Sequence, residues 1–269
     1  MSSEGQAPIR FTEEIEVLCQ GEYAIARRHE TQVPCPRCAG VGSRRTMSAD
    51  GRYQIALPCR CQRLDRSIRL FSQAGIPARY YGASFESFVA KEISGEQSKR
   101  RAARFAWEFS PGARGLLFYG GYGTGKTYLA AAILHVLVLN RGLAARFIEF
   151  TQLLSTLKGH YQRRENSVAF LDELHRTPCL VIDELGEGAH SEWAESVLEE
   201  LISRRYNASL TTIFTTNFDP RLSQETQGHQ LRERVGARLY SRLQQMCDLL
   251  PLFGVDHRSQ RGGVGLNSR

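Results

Sequence analysis

The sequence has no apolar run approaching the roughly 18 residues of a membrane-spanning helix. Its opening, MSSEGQAPIRFTEEIE, is polar and acidic, unlike the basic-then-apolar start of a secretory leader. Together these absences make a cytoplasmic protein the expectation. Internal repeats and long low-complexity tracts are missing as well. Negative charge is the scarcer sign: 28 Asp and Glu stand against 35 Lys and Arg, a formal net charge of +7. Such an excess favours a polyanionic partner, because each neutralised phosphate releases condensed counterions. A disulfide framework is unexpected, because the seven cysteines are odd in number and the chain is neither short nor secreted.

What is present suffices for one well-buried domain and a smaller module: 269 residues, 42% hydrophobic and 23% charged. Three cysteines, Cys19, Cys179 and Cys247, lie among apolar neighbours and read as small core residues. The other four cluster. Cys35-x-x-Cys38 is followed after twenty residues by Cys59-x-Cys61 in a stretch, 33–62, with Gly40, Gly42 and Gly51 and few large apolar side chains. Such a stretch cannot build a core, and a metal would help it fold. Zn²⁺ takes four thiolates tetrahedrally, and paired cysteines on two turns supply that geometry. The single residue inside the second pair weakens the match, leaving His29 as a spare ligand and free thiols or a redox pair as other readings.

Residues 11–30, FTEEIEVLCQGEYAIARRHE, place Phe11, Ile15, Leu18 and Ala26 at helical spacing, which predicts a short amphipathic helix. A second helix is expected over 63–73, stopped by AGIP. From about Gly75 short apolar runs alternate with helical patterns. The runs are GLLFY (115–119), ARFIEF (145–150), CLVID (179–183), TTIFTT (211–216) and CDLLPLFGV (247–255). Helices are expected over 126–140 and over 192–206, where Trp193, Val197, Leu198, Leu201 and Ile202 share a face. Continuous apolar strands alternating with helices predict an α/β domain with a mainly parallel sheet covered on both sides. Pro251 marks the last run as an edge strand or a shorter one.

The strand–helix junction at 118–130 reads FYGGYGTGKTYLA, with Gly120, four free positions, then Gly125-Lys126-Thr127. This pattern cradles phosphates on backbone N–H groups, so Gly120, Gly121, Tyr122, Gly123, Thr124 and Gly125 are the expected nucleotide-binding loop. Lys126 would reach the β- and γ-phosphates, and Thr127 would hold Mg²⁺. CLVIDELGE then ends a strand in Asp183 and Glu184, one carboxylate for the metal and one to polarise an attacking water. TTIFTTNFDP ends the next strand in Asn217, able to orient the same water. In LRERVGARLYSRLQQMC, Arg234, Arg238 and Arg242 recur every four residues along one side of an expected helix, with Val235, Leu239 and Leu243 buried. One of these arginines could reach a neighbour's γ-phosphate. No N-K-x-D guanine motif and no transporter signature accompanies the loop.

GGYGTGKTYLAAAI, LVIDELG, TTIFTTN, ERVGARLYSRL and the closing DHR, in this order, resemble the bacterial helicase-loader AAA+ ATPases of the DnaC/DnaI type. AGIPARYYGASFESF is similar to the segment leading into that family's domain. The resemblance covers about residues 75–260 and implies an AAA+ core over 75–269 without a large lid, a helical linker over 63–74, and a partner-binding region over 1–62. It also implies that Asn217 is the sensor-1 residue and that Arg242 is the arginine finger acting in trans in an oligomer, with Arg238 its nearest competitor. Arg258, in DHR, falls at the sensor-2-like arginine contacting nucleotide. The matching single-stranded-DNA segment is TLKGHYQRREN, where Lys158, Arg163 and Arg164 would track phosphates and Tyr161 would stack on a base. The implied activity is slow, partner-regulated ATP hydrolysis during loading of a hexameric replicative DNA helicase, with ATP, Mg²⁺ and Zn²⁺ as cofactors. CPRCAGVG also looks like one cysteine-rich repeat of the DnaJ co-chaperones. Two rivals stand beside the loader: the ATPase partner of a transposase (IstB type), and a zinc-dependent nucleic-acid-binding or chaperone adaptor whose ATP site is a regulatory switch.

Overall fold

The computed structural model describes residues 9–10, 12, 14–29, 35–163, 167–188, 191–221 and 230–257. The chain divides into two compact units: residues 1–82 with 135–144, and residues 83–134 with 145–269.

In the first unit, β1 (Ile9–Arg10), β2 (Ile15–Gln20) and β3 (Tyr23–Arg28) form an antiparallel sheet. This replaces the amphipathic helix expected over 11–30. Period-two burial of Ile15 and Val17 on β2, and of Ala24 and Ala26 on β3, prevails over the helical spacing. Gly21, at φ +60°, lets the chain reverse between Gln20 and Tyr23. A second hairpin pairs β4 (Ser43–Met47) with β5 (Gln54–Pro58), and both strands are almost wholly exposed. Helix α1 (Arg60–Gln73) closes on β3: the Ser72 hydroxyl accepts from Ala26 N at 3.2 Å and donates to Ala26 O at 3.3 Å. Phe71, Ala74, Ile76, Leu137 and Val138 supply a small core, with the His135 ring edge-on to Phe71 at 4.8 Å.

The second unit holds α2 (Ile93–Glu108), β6 (Gly115–Tyr119), α3 (Lys126–His135, its last residue counted with the first unit), β7 (Ala145–Glu149), α4 (Phe150–Arg163), α5 (Ser167–Arg176), β8 (Cys179–Asp183), α6 (Glu192–Asn207), β9 (Thr211–Thr216), α7 (Leu231–Val235), α8 (Ala237–Met246) and β10 (Cys247–Pro251). Five of these strands form one parallel sheet in the order β10-β6-β9-β8-β7, and Pro251 lies on the edge strand, where a missing N–H is tolerated. Every residue of β6, β8 and β9 is buried, the mark of a sheet covered on both faces. The helix expected over 126–140 turns to π geometry at Val136–Asn140. Ser191 caps α6 by accepting from Ala194 N at 3.2 Å.

The single helix expected to carry Arg234, Arg238 and Arg242 along one side is broken. Gly236 adopts φ +78°, outside the right-handed helical range, so α7 ends at Val235 and α8 starts afresh. Arg234 therefore points elsewhere, its guanidinium 4.7 Å above the Phe218 ring.

Candidate nucleotide site and cysteine cluster

The loop of 120–127 connects β6 to α3, and Asp183 and Asn217 stand at the carboxyl ends of β8 and β9. That end of an open parallel sheet is where ligands bind. Three loop positions require glycine. A Cβ at Gly120 would lie 2.0 Å from Leu252 O, at Gly123 1.7 Å from Asp256 Oδ1, and at Gly125 2.5 Å from Phe88 Cε2. All three also have positive φ. The loop is thus wrapped by the segment before α2 and by the chain after β10, where His257 N donates to Gly123 O at 3.0 Å. Asp256 and His257 of DHR reach the loop; Arg258 lies outside the described residues. Lys126, buried, donates from Nζ to Gly120 O at 2.9 Å and Gly121 O at 2.6 Å.

Beneath the loop, Thr127 Oγ1 donates to Asp183 Oδ1 at 2.9 Å, and Thr215 Oγ1 donates to the same oxygen at 2.5 Å. Asp183 is 1% exposed. The next residue, Glu184, has φ +58°, a left-handed backbone that costs a non-glycine residue roughly 1–3 kcal/mol. Its N–H donates to Thr215 Oγ1 at 3.0 Å, so one threonine hydroxyl fixes both acidic positions. Glu187 accepts from Asn217 Nδ2 and from Tyr122 Oη, each at 3.2 Å, joining the phosphate loop to the end of β9.

Thr215 and Glu187 are the residues that sequence reasoning missed. The signal for the first was present: four threonines in the six-residue run TTIFTT, all of them buried. Hydroxyls in a wholly apolar environment need partners.

Among the remaining expected residues, Arg238 pairs with Glu199 at 2.9 Å with a side chain 75% exposed. Arg242 donates to Ser203, lies 3.8 Å from Glu199, and is largely shielded. On α4, Lys158 lies 5.4 Å from the centre of the Trp193 ring and Tyr161 6.4 Å from it. Tyr161 is 59% exposed, so it is no core residue. Arg163 folds back along α4 to Gly159, and Arg164 lies outside the described residues.

In the first unit the Sγ atoms of Cys35, Cys38, Cys59 and Cys61 all lie within 4.8 Å of one another. Cys35–Cys59 and Cys38–Cys61 are separated by 4.0 and 3.3 Å. Four sulfurs about 2.3 Å from a tetrahedral Zn²⁺ would be spaced at roughly 3.8 Å, so the cluster fits that ion. Gly42 N donates to Cys38 Sγ at 3.3 Å, and this N–H holds the Cys38 thiol below its ordinary range, toward the thiolate a metal requires. His29 takes no part; its Nε2 lies 3.2 Å from a Glu16 carboxylate oxygen. Of the three other cysteines, Cys179 and Cys247 are buried, whereas Cys19 is half-buried and donates to Ala78 O at 3.3 Å.

The sheet order, the phosphate loop and the acidic strand end define an AAA+ P-loop nucleotide-binding protein. Residues 60–261 match the family described as IstB-like ATP binding protein, and the chain belongs to that family. The replicative helicase loader DnaC of Escherichia coli K12 is 27% identical over 194 residues, 72% of this chain and 76% of its own length. DnaC of Buchnera aphidicola from Schizaphis graminum is 27% identical over 169 residues, 62% and 68% of the two chains. Among solved structures, the DnaC helicase loader has a TM-score of 0.59 at 30% identity, covering 65% of this chain and 98% of its own. DnaI has a TM-score of 0.55 at 27% identity, covering 68% and 94%. DnaA from Aquifex aeolicus shares the fold at 17% identity and a TM-score of 0.53.

Proposed function

We propose that this protein is an ATP-dependent loader of a hexameric replicative helicase onto single-stranded DNA, with hydrolysis acting as an assembly switch. The likeness to the DnaC helicase loader, spanning 98% of that chain, carries the reading. In it, the backbone N–H groups of 120–125 receive the phosphates and Lys126 leaves the loop carbonyls to meet the β- and γ-phosphates. Thr127 and Asp183 are the pair that would hold Mg²⁺, whose charge, when bound, offsets that of the phosphates. Glu184 polarises the attacking water and Asn217 orients it. Arg258 would contact the nucleotide from the chain end beyond His257.

Arg242 is the candidate finger for a neighbouring subunit's γ-phosphate, with Arg238 the alternative. Both arginines lie beside Glu199 in their own chain, so engagement in trans would exchange one anionic partner for another. Lys158, Tyr161, Arg163 and Arg164 would meet single-stranded DNA, and Trp193, beside Lys158 and Tyr161, adds a second aromatic ring for stacking. Residues 1–62 are assigned to the helicase, the four-cysteine cluster holding Zn²⁺ to order them.

The test mixes purified protein, a replicative helicase and single-stranded DNA, and measures ATP turnover together with complex size. Co-elution with the helicase, and DNA-stimulated turnover abolished by Arg242→Ala, support the loader. The family match keeps a second reading in view, assistance to a DNA transposase; it is favoured if no helicase complex forms and duplex DNA or a transposase stimulates turnover instead. Zero turnover with DNA and partner both present would favour an adaptor with a regulatory ATP site.

A further inference from the structure

Residues 35–70 contain eight arginines and no lysine, against two aspartates and no glutamate, a net of +6 out of +7 for the whole chain. The protein's positive excess is therefore concentrated around the cysteine cluster. Six of these eight arginines are not spent on internal ion pairs. Arg60 meets Glu14 and Arg52 approaches Asp50, but Arg37, Arg44, Arg45, Arg63, Arg66 and Arg69 have no ion pair among the described residues. All six are substantially open to solvent.

Their placement is ordered. Arg44 and Arg45 are consecutive on β4, so one projects from each face of the hairpin. Arg63, Arg66 and Arg69 recur every three residues along the exposed side of α1. The cysteine cluster joins the two elements, since Cys38 and Gly42 of the turn before β4 meet Cys61 and Cys59 at the start of α1; Cys59 N donates to Gly42 O at 2.8 Å. Apolar groups are exposed between the charges: Val41 is 75% exposed, Tyr53 60% and Met47 52%. Like charges held this closely on a hairpin with no core of its own repel one another, and a polyanion relieves that repulsion. A binding surface for a neutral or basic protein would gain nothing from it.

We propose that the β4–β5 hairpin and the exposed arginine row of α1 form a second binding surface for single-stranded DNA, the arginines on phosphates and Tyr53 stacking on a base. It is separate in sequence from Lys158 and Tyr161, and its chemistry needs no nucleotide, so it stands whether or not the protein is a helicase loader.

The test uses the full-length protein and a fluorescein-labelled 20-nucleotide oligo(dT), with anisotropy titrations between 50 and 200 mM salt. Each lost phosphate contact lowers the log–log salt slope by about 0.7 on single strands. Arg44, on the same hairpin face as Tyr53, is changed together with Arg66: Arg44→Gln/Arg66→Gln should therefore reduce the slope by about 1.4 and weaken binding roughly 25-fold near 100 mM salt. Arg44→Gln alone should give a step of about 0.7, which keeps the test valid if the double variant misfolds by circular dichroism. An unchanged slope in both variants overturns the proposal. So does loss of helicase co-elution with the slope intact, which would make the surface a protein site. A 20-base-pair duplex bound more tightly than oligo(dT), with the same slope change, overturns the choice of single strands.

Discussion

Asp183 ends a strand whose five residues are all buried, and two threonine hydroxyls from neighbouring elements hold its carboxylate. Cys35 and Cys38 precede a hairpin whose strands are almost wholly exposed. Each region gathers a small set of reactive groups, but by opposite means. In the second unit the apolar sheet orders the backbone first, and the chemistry sits on a scaffold that stands without it. In the first unit the hairpin has no apolar interior, so the sulfurs must organise the chain that carries them. A rigid sheet suits groups that must meet a transition state at fixed positions. With the proposed metal tying it, the hairpin would be able to spend nearly all its side chains on contacts with a partner.

Substitution at the sheet site should give the largest effect and should leave the other unit untouched. Asp183→Ala removes the acceptor shared by Thr127 and Thr215 and the carboxylate proposed to hold Mg²⁺. ATP turnover should fall at least 100-fold, while amide exchange over residues 43–58 stays as in the parent. If that hairpin also loosens, the two units are coupled and the contrast fails.

Metal removal probes the other side. Chelation, or Cys59→Ser, should abolish exchange protection across 43–58 and leave the parallel sheet and nucleotide binding in place, because the hairpin has no core to fall back on. One zinc per chain should be found before chelation and none after it. A hairpin that stays protected without metal would mean its own pairing suffices.

How much of this was legible in the sequence differs between the regions for the same physical reason. The five sheet strands, and the positions of the 120–127 loop and of Asp183 and Asn217 at strand ends, follow from the sequence because continuous apolar runs and fixed glycine spacing encode a buried parallel sheet locally. The role of Thr215 does not, because it depends on register. Ile182 opposite Phe214 brings the next pair, Asp183 and Thr215, side by side; the threonine run signals that buried hydroxyls need partners, but not which partners they meet. The stretch 11–30 departs from expectation for a related reason: Phe11, Ile15, Leu18 and Ala26 fit a helical period, while the buried set, Ile15, Val17, Ala24 and Ala26, obeys period two. Gly236 splits an otherwise persuasive helical pattern through a single dihedral angle.

The first unit is not without a core, and His135 sharpens the contrast by marking where it lies. Burial pushes its imidazole down to about 4 from an ordinary value near 6.5. The folded chain therefore holds it neutral while the unfolded chain takes up a proton between those values. The stability it gives is complete above about pH 6.5 and declines as pH falls toward 4, by roughly 3 kcal/mol at most. Thermal melts of the parent between pH 7 and 4.5 should show that acid loss, and His135→Phe, which keeps a ring against Phe71, should flatten it. An unchanged slope would place the acid sensitivity in other groups.

The smallest effect tests whether the sheet site depends on more than its charged residues. Thr215→Val conserves shape and burial but deletes the hydroxyl that donates to Asp183 and accepts from Glu184 N. The backbone N–H of Glu184 then loses its bond to Thr215 at a residue already in a left-handed conformation, and the carboxylate loses a donor. A buried hydrogen bond of this kind is worth about 1–2 kcal/mol, so turnover should fall about ten-fold with nucleotide affinity nearly unchanged. Thr215→Ser, which restores the hydroxyl, should recover most of it. Failure of the serine to do so would assign the loss to packing in β9, and the positions of Asp183 and Glu184 would then rest on the strand register alone.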